Sequence, residues 1–202
     1  MTKGHVTFKD IEFLVKEAYI PFGDEKRALP WPTQLERLEN DAEHSFSLAL
    51  IGATVAEDLG LNAEKVASFA TVHDLVEIFA GDTSAWDDIA LQTKNVRENE
   101  GFKKLKLKFK QFAWIISLID EYEALASEEA RLVYALDKLL PVLMNIQGDG
   151  NFWKKSSISY EMYHQKYLKK RTEVSQHPLI LSWYDEIDKY LLVNRKKYFT
   201  CQ

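Results

Sequence analysis

The sequence predicts an all-α protein folded as one helical bundle. Apolar residues recur at three- and four-residue intervals through most of the chain, and no run of alternating β-branched residues marks a strand. Capping residues, glycines and prolines punctuate these stretches at helix-like intervals. At 202 residues the chain fits a single domain able to bury roughly 70% of its unfolded surface. One domain is expected over residues 1–202, with its motif-bearing core at about 31–151 and C-terminal helices over 152–202.

A first helix is expected from Thr7 to Ala18, with Ile11, Leu14, Val15 and Ala18 on one face. Three prolines, a glycine and several charges make Pro21 to Gln34 a loop. Asn40 with Glu43 three residues on forms a capping-box pattern. The helix it opens carries Phe46, Ala49, Leu50, Ala53 and Leu59 and ends near Gly60. Asn62 caps the next helix, whose Val66, Phe69, Ala70 and Ile78 lead to a stop at Gly81. Asp87 to Lys94 reads as irregular, Val96 to Lys110 as a charged, solvated helix, and Phe112 to Tyr122 as an inward-packing one. Ser127 opens a helix with Leu132, Val133, Leu136, Leu139, Leu140 and Leu143 as its buried stripe, which Pro141 should kink or end. After the Gly148-Asp149-Gly150 turn come helices near Tyr160 to Arg171 and, past His177-Pro178, Leu179 to Asn194.

A net charge of −5 gives no electrostatic reason to expect long nucleic acid or an anionic membrane as partner, although a small phosphorylated ligand needs only a local cluster of cations. The single cysteine, Cys201, cannot form an internal disulfide or a thiolate-rich zinc site. The start of the chain lacks the apolar run of a signal peptide, and Phe112 to Ile119 is too short to span a bilayer, so a cytoplasmic location is expected.

Four residues stand out because each falls where a helix calls for an apolar side chain: His44, the pair His73-Asp74, and Asp137. Buried imidazoles and carboxylates are costly unless hydrogen-bonded, ion-paired or bound to metal. One divalent cation could satisfy all four. On a continuous helix His73 and Asp74 diverge by about 100° yet can grip one point, with Glu77 over the same patch. Each residue also has an ordinary alternative: His44 as a hydrogen-bonded core histidine, Asp137 paired with Lys138, Glu77 as an exposed helix carboxylate.

The spacing His44, His73-Asp74 and Asp137 resembles the H…HD…D signature of the HD-domain metallo-phosphohydrolases. Arg37-Leu-Glu39-Asn-Asp-Ala-Glu43-His44-Ser45 resembles the R-x-E-[NS]-x-x-E-H-S segment of their 5′-deoxynucleotidase branch, which includes the HD-domain-containing protein 2 group. His73-Asp74-Leu-Val-Glu77-Ile-Phe-Ala-Gly81-Asp82 is similar to that branch's HDxxE…GD segment, and the similarity covers about Trp31 to Asn151.

The resemblance implies an HD-type helical bundle and a divalent-metal-dependent phosphomonoester hydrolase. Its most direct substrate would be a deoxyribonucleoside 5′-monophosphate, split to deoxynucleoside and phosphate. His44, His73, Asp74 and Asp137 would hold one ion. A set of two His and two Asp suits Mn²⁺, Co²⁺, Fe²⁺, Ni²⁺ or Mg²⁺ in preference to Zn²⁺. The absence of histidine between Asp74 and Asp137 argues against a second ion. Glu77 would handle the proton and Asp82 would line the site, with a solvated loop aspartate as the alternative for the latter. Arg37 is a phosphate clamp by chemistry, or else a partner of Glu39. Trp31-Pro32 lies where the branch has a Trp-Pro pair that reads phosphate and sugar, though Trp31 could equally be a packing aromatic. Pro30 replaces the arginine that precedes that tryptophan in the branch, leaving Lys26, Arg27, Lys94 and Arg97 as candidate replacements. A small nucleotide as partner and a homodimer complete the expectation. The competing readings are a metal-dependent nucleotide-binding or sensor module, and a hydrolase of another nucleotide phosphate ester.

Overall fold

The computed structural model describes residues 6–200; Cys201 lies outside them. Helices dominate, as expected: α1 (Phe8–Leu14), α2 (Ile20–Asp24), α3 (Asp41–Leu59), α4 (Ala63–Val72), α5 (Glu77–Ala80), α6 (Asp88–Lys108), α7 (Ala113–Glu123), α8 (Glu128–Gln147), α9 (Asn151–Lys155), α10 (Tyr160–Val174), α11 (Pro178–Val193) and α12 (Arg195–Tyr198). Among the described residues, no helix is long and apolar enough to cross a membrane.

Capping residues set the main boundaries. Asn40 and Glu43 form the expected box at the start of α3, and Gly60 ends it with a left-handed φ of 70°. Asn62 caps α4 and Ser127 caps α8 through their side-chain oxygens.

Several boundaries differ from the sequence expectation. The first helix gives way at Val15–Tyr19 to a π-helical turn before α2. The expected loop over Pro21 to Gln34 holds α2 and an antiparallel hairpin, β1 (Lys26–Trp31) and β2 (Gln34–Asn40). Its register shifts near Pro30, which lacks an amide N–H for the ladder. The segment expected to be irregular is helical from Asp88, because Asp87 caps it by accepting from the amides of Ile89 and Ala90. Pro141 does not end α8, which runs on to Gln147.

The face of α3 is the largest correction. Phe46 and Leu50, expected to be buried, are 70% and 61% exposed. The buried face is instead Asp41, His44, Ser45, Leu48, Gly52 and Ala56. Small residues there permit close packing: a Cβ on Gly52 would lie 2.9 Å from Val66 Cγ1 of α4. Polar site residues thus occupy the inward face, and apolar periodicity misreports it.

Two apolar clusters build the interior. The larger joins α3, α4, α8, α10 and α11 around Leu48, Phe69, Leu136, Tyr163 and Ile180. The smaller joins α2, α6 and α7 with Val72, Leu75 and Val76. His73 sits where they meet, its ring edge-on to Tyr122 at 5.9 Å.

His177, just before α11, is buried, and neither ring nitrogen has a hydrogen-bond partner among the described residues; Glu128 Oε1 lies 4.0 Å from Nε2. Burial lowers its pKa, against the pull of Glu128. The unfolded chain therefore takes up the proton first, near pH 6.5. Stability should be lost as pH falls through that value and below it. A His177→Leu variant should lose less melting temperature between pH 7 and pH 5 than the parent; equal losses would contradict this.

Candidate metal and phosphate site

The predicted ligands come from α3, the turn after α4, and α8. That turn corrects the expectation of one continuous helix: α4 stops at Val72, and residues 73–76 form a tight turn before α5. Amide N–H groups of Leu75 and Glu77 bond three residues back, to Val72 and Asp74, in place of the α pattern. The turn still brings donor atoms of His44, His73, Asp74 and Asp137 within 4.8 Å of one another.

His73 shows what this cluster lacks. Its Nδ1 lies 2.9 Å from the Ala70 carbonyl oxygen, which can only accept, so Nδ1 carries the hydrogen. Its Nε2 then faces Asp74 Oδ2 at 2.9 Å and Asp137 Oδ1 at 3.7 Å, with no hydrogen bond of acceptable geometry. A lone pair aimed at carboxylate oxygens is repulsive unless a proton or a cation lies between them. Burial opposes the imidazolium, but Asp74 and Asp137 override it and push the His73 pKa up to about 10. His44 behaves oppositely. Its Nε2 lies 2.9 Å from Asp137 Oδ1, yet burial and then the Arg27 charge lower its pKa.

Further buried carboxylates crowd the cluster. Burial raises Glu39 to about 7 and Asp41 to about 8; Glu77 reaches about 10 through burial and its neighbours Asp74, Asp82 and Asp41. Glu39 Oε2, Asp41 Oδ2 and Glu77 Oε2 have no hydrogen-bond partner among the described residues. Orphaned acceptors on this scale fit a hard divalent cation. Asp41, Asp74 and Glu77 form a second group close enough to ligate. There Arg27 already supplies positive charge, 2.8 Å from Asp74 Oδ2 and 3.5 Å from Asp41 Oδ1.

A cavity of about 200 Å³ opens beside the cluster. Asp74, Glu77, Asp82 and Asp137 line it, as do Arg27, Lys94, Lys138, Lys166 and Lys170. Lys138 Nζ bonds Asp137 Oδ2. Burial works against the Lys138 ammonium, but Asp137 holds its pKa above the ordinary value. Asp82 also ties the hairpin to the site, accepting from the Ala28 amide at 3.3 Å while its own amide donates to Glu25 at 3.1 Å.

Two expected substrate contacts lie elsewhere. Arg37 donates to both Glu43 oxygens at 2.7 Å and stacks over Trp31 at 4.6 Å; neither Arg37 nor Trp31 lines the cavity. Arg37 thus finds Glu43, not Glu39, as its carboxylate. Of the alternative cations, Lys26 is exposed, Arg27 sits among the carboxylates, and Arg97 is held by the Ala80 carbonyl and Thr83 Oγ1. Of the four, Arg27 and Lys94 line the cavity. Sequence reasoning missed Asp41, which looks like a helix-start aspartate, and the role of Arg27, which stood in a presumed loop. It also missed Lys166 and Lys170, although their spacing of four with Tyr163 and Tyr167 was visible.

The HD domain family model matches residues 24–177, and the chain belongs to that family. A mouse protein named 5′-deoxynucleotidase HDDC2 is 32% identical over 111 residues, 54% of this chain and 55% of its own length. The matched stretch therefore spans about half of that relative. A Schizosaccharomyces pombe protein named 5′-deoxynucleotidase hdd1 is 23% identical over 159 residues, 76% of each chain. The crystal structure of a predicted metal-dependent phosphohydrolase from Magnetospirillum magnetotacticum aligns with a TM-score of 0.74 and 28% identity, covering 94% of this chain and 96% of that one.

A divalent cation bound here should stabilise the fold by mass action, about 2.7 kcal/mol at a hundredfold excess over the dissociation constant. For this chain length that is roughly 5–10 °C of melting temperature. Thermal melts with Mn²⁺, Co²⁺ or Mg²⁺ against EDTA should show the gain, and His73→Gln should abolish it. A gain of equal size in His73→Gln would place the ion elsewhere.

Proposed function

We propose that the protein is a divalent-metal-dependent phosphomonoesterase acting on deoxyribonucleoside 5′-monophosphates. The carrying observation is that one cavity is lined both by carboxylates of the cluster, Asp74, Glu77, Asp82 and Asp137, and by the cations Arg27, Lys94, Lys138, Lys166 and Lys170. A phosphate ester beside a metal ion suits a space lined by both charges. The names of the mouse and yeast relatives support the substrate class.

In this reading His44, His73, Asp74 and Asp137 hold one ion of the Mn²⁺, Co²⁺, Fe²⁺, Ni²⁺ or Mg²⁺ type. When bound it supplies Lewis acidity, making water a stronger acid and drawing charge off the phosphoryl oxygens. The chain supplies the rest. The Ala70 carbonyl fixes the His73 tautomer so that Nε2 presents its lone pair. Arg27 holds Asp74 in place and offsets the crowd of carboxylates. Glu77 lines the cavity as a buried carboxyl placed to handle a proton, that of the attacking water or that of the departing sugar oxygen. Asp82 keeps the hairpin against the cavity and faces the leaving group.

Phosphate release should be measured on 5′-dNMPs, 5′-NMPs, dNTPs and cyclic nucleotides with Mn²⁺, Co²⁺ and Mg²⁺ in turn. Release from 5′-dNMPs is expected, and Glu77→Gln should cost roughly 10²–10⁴-fold in kcat while keeping the metal-induced thermal gain. No release from any compound would overturn the enzymatic reading in favour of a nucleotide-sensing module.

A further inference from the structure

The lysines that line the cavity are not metal donors, and two of the four come from α10. Tyr163, Lys166, Tyr167 and Lys170 recur at i, i+3, i+4 and i+7, one helical face, and all four line the cavity. Lys94 arrives from α6 and Lys138 from α8. Three separate helices therefore place lysines on the wall of one space of about 200 Å³. An anion entering it would meet several positive charges from different elements.

Lys138 is bonded to Asp137 on the cavity wall, but the carboxylate partners of the other three lysines do not fill the space. Lys166 pairs with Asp88 at 2.8 Å, Lys170 with Glu173 at 2.9 Å and Lys94 with Glu98 at 3.3 Å, and none of these three acids lines the cavity. Burial and the Lys138 charge lower the Lys170 pKa against the pull of Glu173, and Lys94 lowers it further, so the three ammonium groups act on one another. Arg37, the sequence's phosphate clamp, is tied to Glu43 and does not reach the cavity.

We propose that Lys166 and Lys170 of α10, with Lys94 and Lys138, form the cradle that binds the substrate's phosphate oxygens beside the metal cluster. This rests on the phosphohydrolase reading and extends it to a named anion site on α10. Lysines act as point charges on phosphate, without the bidentate geometry an arginine imposes. Tyr163 and Tyr167, interleaved with the lysines, give the same wall planar apolar surface suited to a nucleobase.

The test uses the full-length protein and its Lys166→Met/Lys170→Met double variant, with Lys166→Arg/Lys170→Arg as the charge-keeping control. Calorimetry with inorganic phosphate, and KM against kcat for a 5′-dNMP, are the readouts. Retention of the metal-induced thermal gain confirms that each variant is folded with its metal cluster intact. The methionine variant should bind phosphate about tenfold more weakly or worse and raise KM by a similar factor; the arginine variant should stay near the parent. Unchanged phosphate affinity in the folded methionine variant overturns the cradle even if the parent turns over nucleotides. Conversely, lysine-dependent phosphate binding by a parent that hydrolyses nothing supports the cradle while rejecting the enzymatic reading.

Discussion

The structure is organised around a crowd of buried and half-buried carboxyl groups. Glu39, Asp41, Asp74, Glu77 and Asp137 crowd round two imidazoles, countered by the side chains of Arg27 and Lys138. Packing alone would not assemble such a group, because each carboxylate loses its hydration and several have no hydrogen-bond partner among the described residues. The arrangement becomes intelligible if a divalent cation belongs in it.

The fold provides what this charge needs to stay in place. The break between α4 and α5 turns His73 and Asp74 inward at the seam between the two apolar clusters, so Val72, Leu75 and Val76 anchor the segment on both sides of the ligands. The hairpin brings Arg27 across to Asp74, and Asp82 bonds back to its strand. α8 runs past the site with Asp137, Lys138, Pro141 and Asn145 all on the cavity. One helix thus carries both Asp137 of the cluster and Lys138, the cation that bonds it.

Much of this was legible in the sequence. The four predicted ligands were conspicuous because polar residues stood at apolar positions, and the family resemblance rested on the same residues. Capping residues Asn40, Asn62 and Ser127 marked their helices correctly. The hairpin was not legible, since its strands hold charges and a proline where β-branched residues would normally signal pairing. The inward face of α3 was misread because Phe46 and Leu50 outweigh the site-facing Asp41, His44 and Ser45 in any apolar count. Arg37 and Trp31 looked like substrate contacts by residue type, but tertiary geometry pairs them with each other beyond the cavity.

The central claim is that the buried carboxylates and imidazoles share a cation. Anomalous diffraction from crystals soaked in Mn²⁺ tests it without reference to any substrate. The account predicts a peak within coordination distance of His44, His73, Asp74 and Asp137 together, with the His73 ring still bonded to the Ala70 carbonyl. Saturating Mn²⁺ that leaves no peak among those four side chains would contradict it.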